Sequence, residues 1–187
     1  LTNGYDEDDI PKYNIIKNKP FIEFIHIGSI TNGRDETCEE FLKQLIQSDV
    51  KNFRVILIGH TPRTIRRKFS KLISEGKLIL RNSISQKEAI LEVVKCDVAI
   101  HFGSFKFPFA LSTKIFEYIA LKKPVLSINY GGDILKIINK NKVGISINLK
   151  KDKTPQIQHK LKKIISFKET INTSYKEYSY YSLTKRL

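Results

Sequence analysis

The sequence predicts an α/β domain with a doubly wound, Rossmann-like parallel sheet of about six strands and helices on both faces. Short apolar runs rich in β-branched residues recur along the chain, and each precedes a longer stretch with amphipathic helical spacing. The runs are apolar on both faces, as in strands of a parallel sheet that is covered on both sides. With 187 residues, of which 41% are hydrophobic, the chain can bury the core of one such domain.

The elements alternate regularly along the chain. The predicted strands are, in order, FIEFIHIG, FRVILIG, KLILR, DVAIHF, PVLSI and VGISIN. The helical stretches that follow them are ETCEEFLKQLIQ, RTIRRKFSKLIS, QKEAILEVVK, a segment opening near Ser112, GDILKIINKN and TPQIQHKLKKIIS. Ser85 and Glu88 have the spacing of a capping box at the start of the third helix. Pro124 and Gly144 mark the ends of later helical stretches.

Three segments are expected on compositional grounds. Residues 1–19 read as a lead-in, residues 20–170 as the domain itself and residues 171–187 as a C-terminal tail. Because the polar opening LTNGYDEDDIP does not begin with methionine, we expect the chain to be a piece of a longer protein. The aromatic tail YKEYSYYSLTKRL is expected to form a last helix whose tyrosines pack on the missing part.

The net charge of +14 predicts an anionic partner: nucleotide phosphate, acidic lipid or nucleic acid. No uncharged apolar stretch reaches the roughly 18 residues of a membrane span, and no signal peptide is recognised. Cys38 and Cys96 lie far apart without a C-x-x-C pairing, which favours a reducing compartment. We therefore expect a cytoplasmic protein, with the inner face of the cell membrane as a second candidate location.

A ligand site is predicted where the strand order reverses. In an open parallel sheet, ligands bind at the carboxyl ends of the strands on either side of this reversal. The first strand ends in HIGS, with Gly28 and Ser29, and the fourth ends in HFGS; the second ends at Gly59. Glycine lets the backbone approach a ligand closely. His26, His60 and His101 lie near these ends without supporting carboxylates, so no metal site is expected.

Familiar phosphate-binding motifs do not fit the sequence. Residues 28–35, GSITNGRD, have the spacing of a Walker A loop, but Arg34 and Asp35 stand where that loop needs lysine and a hydroxyl. A G-x-G-x-x-G fingerprint is also missing after the first strand. Both of these nucleotide-binding folds are therefore disfavoured.

A different anion site is predicted at the helix that opens near Ser112 and Thr113. Its free N–H groups and the helix dipole favour a diphosphate. Lys114 lies in the first turn, where an anion would offset the unfavourable position of a cation. Glu117 can accept hydrogen bonds from vicinal ribose hydroxyls, and Arg34 can reach the same phosphates from the facing loop. The alternative interpretation of Lys114 and Glu117 is a solvated ion pair.

Three segments match sequence patterns of one enzyme family. STKIFEYIALKKPVL is similar to the pattern P-S-K-x-x-E-Y-L-A-x-G-K-P-V. IHIGSITNGRDETCEEFLKQL resembles a G-R-L strand exit with a basic residue six positions after the glycine, and LTNGYDEDDI resembles an NG-x-D entry into the domain. Together they resemble the C-terminal, donor-binding half of GT-B glycosyltransferases of the group-1 or family-4 class, and the resemblance covers nearly the whole chain.

The resemblance implies a nucleotide-sugar glycosyltransferase of the hexosyltransferase type, retaining and independent of metal or other cofactors. It places Glu117 on the ribose-binding glutamate, Arg34 on the phosphate-binding lysine, and Ser112 and Thr113 on the phosphate-binding turn. Arg34 and Lys114 are the expected catalytic cations, because positive side chains must stabilise the negative charge that develops on the leaving diphosphate.

The chain departs from the family pattern at two positions. The first glutamate of its Glu, seven residues, Glu motif falls on Phe109, and Ser29 replaces an arginine that often follows the first glycine. The donor sugar is therefore undetermined. The base is expected to contact backbone from Arg81 to Ile84.

The expected partners are a nucleotide sugar and, through the missing half, a glycan or lipid-linked acceptor. This piece alone should be inactive. Two alternatives stay open: a nucleotide-sugar 2-epimerase of the same fold, and a non-catalytic basic module that binds nucleic acid. Nucleic acid is not the expected partner, because the basic segment RTIRRKF lacks a recognised binding motif. Anionic lipid is a further candidate partner for that segment.

Overall fold

Six parallel strands form one sheet in the order β3-β2-β1-β4-β5-β6. The computed structural model describes residues 4–11, 19–167 and 175–185. The strand order reverses between β1 and β4, as in a doubly wound sheet, so the predicted fold class and all six strands are confirmed. The strands are β1 Ile22–Ile27, β2 Phe53–Ile58, β3 Leu78–Arg81, β4 Val98–Phe102, β5 Val125–Asn129 and β6 Gly144–Asn148.

Helices cover both faces of the sheet. The first face carries α1, α2, α3 and α7, and the second carries α4, α5 and α6. Successive strand residues point to opposite faces of the sheet. Phe24 of β1 packs in the hydrophobic core on the first face, and Ile25 packs in the core on the second face. The helices are α1 Arg34–Gln47, α2 Arg63–Lys68, α3 Ser70–Ser74, α4 Gln86–Lys95, α5 Lys114–Ala120, α6 Asp133–Asn141, α7 Thr154–Ile165 and α8 Tyr180–Thr184.

Two predicted helices differ in detail from the observed ones. The stretch 63–74 is two short helices, because the backbone leaves helical geometry at Phe69, with φ −113° and ψ 26°. Ile65, Phe69 and Leu72 are all buried on the first face. The helix expected near Ser112 begins at Lys114. The capping box of α4 is confirmed, with Ser85 and Glu88 satisfying each other's backbone N–H groups.

The described parts of the lead-in and the tail pair with each other. The Tyr5 N–H donates to the Tyr178 carbonyl at 3.1 Å, and the Tyr180 N–H donates to the Tyr5 carbonyl at 3.0 Å. The Tyr178 ring lies 5.0 Å from the Phe116 ring of α5, and its hydroxyl accepts a hydrogen bond from the Asn141 side chain of α6 at 2.9 Å. Both segments are therefore held on the second face of the sheet. The predicted domain boundaries stay predictions.

Within the described ranges, no helix has both the length and the apolar character needed to cross a bilayer. The predicted lead-in, residues 1–19, and the predicted tail, residues 171–187, lie partly outside the described residues, and the predicted boundary between residues 170 and 171 lies wholly outside them.

Candidate functional site

Glycines end β1 and β2 with backbones in the left-handed half of conformational space: Gly28 has φ 134° and Gly59 has φ 127°. A Cβ at Gly59 would lie 2.5 Å from the Gly28 carbonyl oxygen, whereas at Gly28 the nearest such contact is His26 Nε2 at 3.7 Å. Gly59 is therefore needed for the close approach of the two strand ends, which is a structural reason independent of any ligand. The space beside the Gly28 Cα is more open than the space beside the Gly59 Cα.

Side chains join the loops that follow β1 and β4. The Ser104 hydroxyl donates a hydrogen bond to the Asn32 carbonyl and accepts one from the Lys106 N–H at 3.1 Å. Thr37 Oγ1 of α1 donates to the Gly103 carbonyl at 2.8 Å. These contacts hold the β1–α1 and β4–α5 loops together across the point where the strand order reverses.

Arg34 is a half-buried cation at this point. It is the first residue of α1, directly after Gly33, whose φ of 84° turns the chain into the helix. Within the described part of the chain, its guanidinium makes no hydrogen bond or ion pair. Its charge acts on His26 and on His101, at the ends of β1 and β4. An unpaired, partly desolvated guanidinium is suited to bind an anion.

His26 and His101 are buried and neutral. Burial is the main cause that lowers the pKa of His26 to about 4 and that of His101 to about 3, and the Arg34 charge lowers both further. His26 Nδ1 lies 3.1 Å from the Ile100 carbonyl, which can only accept, so the proton sits on Nδ1. His101 Nδ1 lies 3.1 Å from Ser127 Oγ. The third predicted histidine, His60, is exposed, unlike these two.

Among the residues that the structure describes, His, Cys, Asp and Glu form no group of three or more that could hold a metal ion. Both cysteines are free and buried, and burial raises the pKa of Cys96 to about 11.

Lys114 and Glu117 form a part-buried ion pair on α5. Lys114 Nζ donates to Glu117 Oε1 at 2.9 Å and to Oε2 at 3.1 Å, and the two side chains are 28% and 13% exposed. The Gln86 side-chain amide lies 3.5 Å from Glu117 Oε1 and donates to Asp9 Oδ2 at 3.0 Å. The carboxylate is thus more enclosed than an ordinary surface group.

Residues 111–113 lead into α5. Ser112 is half-buried and Thr113 is exposed. The Ile115 N–H bonds to the Ser112 carbonyl at 3.3 Å, and Thr113 makes no side-chain cap bond to the helix. The structure thus places both predicted residues directly before Lys114. Their predicted contact with phosphate stays a prediction.

Tyr118 fixes α5 beside the end of β1. Its hydroxyl accepts a hydrogen bond from the Ile27 N–H at 3.3 Å, directly before Gly28. Burial raises the pKa of Tyr118 well above its usual range, and the charge of the adjacent Glu117 adds to this shift. The helix that carries Lys114 and Glu117 is therefore anchored to the strand that leads to Gly28, Ser29 and Arg34.

The residues predicted near the base lie at the end of β3. Arg81 Nη1 bonds to Glu92 Oε2 at 2.6 Å, so its charge is already partnered. Ile84 is half-buried and packs against the second core. The base contact stays a prediction.

Sequence reasoning missed the residues that join the two sides of the site: Thr37, Ser104 and Tyr118. A serine whose hydroxyl accepts from an N–H two residues ahead has the spacing of an ST-turn, so Ser104 carried a weak local signal. Thr37 and Tyr118 carried none, because their partners are 66 and 91 residues away.

Solved structures share this architecture. HepE from Anabaena, in complex with UDP, superposes with a TM-score of 0.72 at 13% identity, over 98% of this chain and 54% of that one. Sucrose-phosphate synthase from Thermosynechococcus elongatus gives a TM-score of 0.71 at 13% identity, over 98% and 49%. This chain has the fold of a GT-B glycosyltransferase C-terminal domain.

A third GT-B structure is similar over a smaller share of the chain. WaaG, a glycosyltransferase involved in lipopolysaccharide biosynthesis, gives a TM-score of 0.63 at 17% identity, over 89% of this chain and 44% of that one. The chain thus spans about half the length of the structures it matches. No family model matches the sequence, and no curated protein does. The fold implied by the sequence resemblance is confirmed.

Proposed function

We propose that this GT-B domain binds the donor of a glycosyltransferase, a nucleotide-diphosphate sugar. The observation that carries the proposal is Arg34: a half-buried guanidinium without a partner among the described residues, at the point where the strand order reverses. In this sheet type, that point is where ligands bind. HepE, a protein of the same fold, binds UDP in its crystal structure.

Each remaining site residue has a proposed role. Arg34 and Lys114 meet the charge that develops on the leaving diphosphate, and the N–H groups of Ser112 and Thr113 contact its oxygens. Glu117 accepts hydrogen bonds from the ribose hydroxyls. Because Lys114 is paired with Glu117, binding requires the lysine to be shared between that carboxylate and the phosphate.

The proposed reaction is metal-independent transfer of a hexose with retention, as the family resemblance implies. The acceptor, a glycan or a lipid-linked glycan of a cell-surface polysaccharide pathway, would be held by a second domain. The proposed location is the cytoplasm. Two proteins of the same fold, WaaG and WaaB, are glycosyltransferases of lipopolysaccharide, which supports a polysaccharide acceptor.

Calorimetric titration of the chain with UDP and GDP, in the presence and absence of EDTA, tests the proposal. We expect one nucleoside diphosphate to bind with an affinity that EDTA does not change, since the phosphate charge is met by side chains and N–H groups. Loss of binding on chelation would contradict the metal-independent site. If neither UDP nor GDP binds, the proposal that this domain binds the donor is wrong. With nucleotide sugar and acceptor, this chain alone should give no transfer.

A further inference from the structure

A groove of about 440 Å³ lies on the first face of the domain, far along the sheet from the site. It runs between the end of α1, the start of β2 and α3. Its floor is apolar and is formed by Val50, Phe53, Phe69 and Leu72. Its polar lining consists of Ser48, Lys51, Lys68, Lys71, Glu75 and Lys77.

The groove carries an excess of positive charge, because four lysines face one glutamate. Lys68 pairs with Glu39 at 2.6 Å and Lys77 with Glu75 at 3.0 Å. Lys71 is exposed and has no ion-pair partner within the described ranges. Exposed arginines continue the basic surface along α2, at Arg63, Arg66 and Arg67.

One exposed aliphatic side chain lines the same groove, and a second is exposed on α3. Ile46 of α1, which lines the groove, is 48% exposed, and Ile73 of α3 is 37% exposed. The two aromatic rings of the groove, Phe53 and Phe69, are only 7% and 6% exposed. The surface therefore offers cations and aliphatic groups together, but no exposed aromatic ring within the groove.

We propose that this groove docks the chain on a bilayer that contains anionic lipid. A membrane interface presents negative headgroups to the lysines and apolar material to Ile46 and Ile73. Single-stranded nucleic acid supplies phosphates too, but its bases bind by stacking on exposed aromatic rings, and Phe53 and Phe69 are covered. Charge complementarity together with the aliphatic rim therefore favours lipid.

Docking through this groove leaves the donor site accessible. Lys51 and Phe53 lie at the amino end of β2, whereas Gly59 and the Arg34 site lie at the carboxyl edge of the sheet. Membrane binding is thus independent of the proposed function, and either proposal can fail alone.

The test is sedimentation of the 187-residue chain with vesicles of phosphatidylcholine, alone or with about 30% phosphatidylglycerol. The test variant is Lys51→Gln/Lys71→Gln. The control is Lys150→Gln/Lys151→Gln, which makes the same charge change at lysines after β6, on the opposite edge of the sheet. We expect the test variant to lose about fivefold in affinity per lysine for the anionic vesicles, and the control to lose clearly less.

A second arm separates lipid from polyanions. Ile46→Ser should weaken binding to anionic vesicles and leave the weak, salt-sensitive binding to a DNA or RNA oligonucleotide unchanged. If both lysine variants lose the same affinity for anionic vesicles, the binding depends only on the net charge of the chain, and the proposed docking site is wrong. Binding to neutral vesicles as tight as to anionic ones would also overturn it, as would tighter binding to the oligonucleotide than to vesicles.

Discussion

Lys114 Nζ donates hydrogen bonds to both carboxylate oxygens of Glu117, at 2.9 and 3.1 Å, on the first turn of α5. The pair lies beside Tyr118, which ties this helix to the last residue of β1. Spacing of three residues makes such a pair ordinary on a helix, but only 13% of the Glu117 side chain is exposed. Position and burial therefore make this pair a candidate part of the donor site.

Glu117→Gln tests the ribose role. If Glu117 accepts hydrogen bonds from the ribose, the variant loses a charge-assisted contact of roughly 1.5–3 kcal/mol, and nucleotide affinity falls about tenfold or more. Calorimetric titration measures this loss. The matched control is Asp133→Asn, which neutralises the acid of an exposed i,i+3 pair at the start of α6. That change should leave nucleotide affinity as it is.

The 2′-deoxyribose form of the nucleotide sharpens the same test. The wild-type chain should bind it more weakly than the ribose form, and Glu117→Gln should show a smaller difference, since one partner is already altered. Equal wild-type affinity for the two nucleotides would assign Glu117 to a structural ion pair alone.

Arg34→Gln should lower affinity for a nucleoside diphosphate at least tenfold, because charge-assisted bonds to phosphate are lost. Stability should change little, since the guanidinium has no partner among the described residues. Arg66→Gln is the control: Arg66 is an exposed arginine on α2 with the same charge. Titration and thermal unfolding of both variants make the measurement. If the two variants bind nucleotide equally, the phosphate does not lie at Arg34.

Gly59→Ala should destabilise the fold by more than Gly76→Ala. Both glycines have positive φ, 127° and 67°. The φ of Gly76 lies in the left-handed region, which costs alanine about 1–2 kcal/mol, whereas the φ of Gly59 lies outside that region and strains alanine further. At Gly59 the added Cβ would also lie 2.5 Å from the Gly28 carbonyl oxygen, while at Gly76 no atom lies within 4 Å. Urea unfolding of the two variants measures the difference. Similar losses would show that the strand ends can separate without cost.

The buried histidines predict lower stability in acid. In the folded state, burial lowers the pKa of His26 to about 4, from 6.5 for a free side chain. Between these values the unfolded chain binds a proton that the folded chain does not, so the free energy of unfolding falls as the pH drops from 6.5 towards 4. At about 1.4 kcal/mol for each pKa unit, the loss amounts to a few kcal/mol.

His26→Phe removes this titration. Urea unfolding between about pH 4 and 7 should show a shallower decline in the variant than in the wild-type chain, whatever its stability at neutral pH. The matched control is His60→Phe, which removes an exposed histidine and should keep the wild-type slope. An unchanged slope in His26→Phe would mean that His26 does not remain neutral in the folded protein.

The alternation of strands and helices could be predicted from the sequence because it depends on neighbours in the chain. Apolar runs mark the six strands, Ser85 and Glu88 mark the start of α4, and glycines mark the strand exits. The Lys114–Glu117 pair is local in the same sense, since three residues separate its members. The fold class follows from this alternation, because parallel strands need helical crossovers.

Tertiary structure decided what surrounds each candidate residue. Arg34 is unpaired among the described residues and acts on His26 and His101 because the strand order places β1 beside β4. Glycine was expected to serve a ligand at position 59, but the space there is limited by the Gly28 carbonyl, 31 residues earlier in the chain. The break at Phe69 likewise coincides with its burial against the sheet. Periodicity reports which face of an element is apolar, whereas the partners of a side chain depend on how distant elements pack.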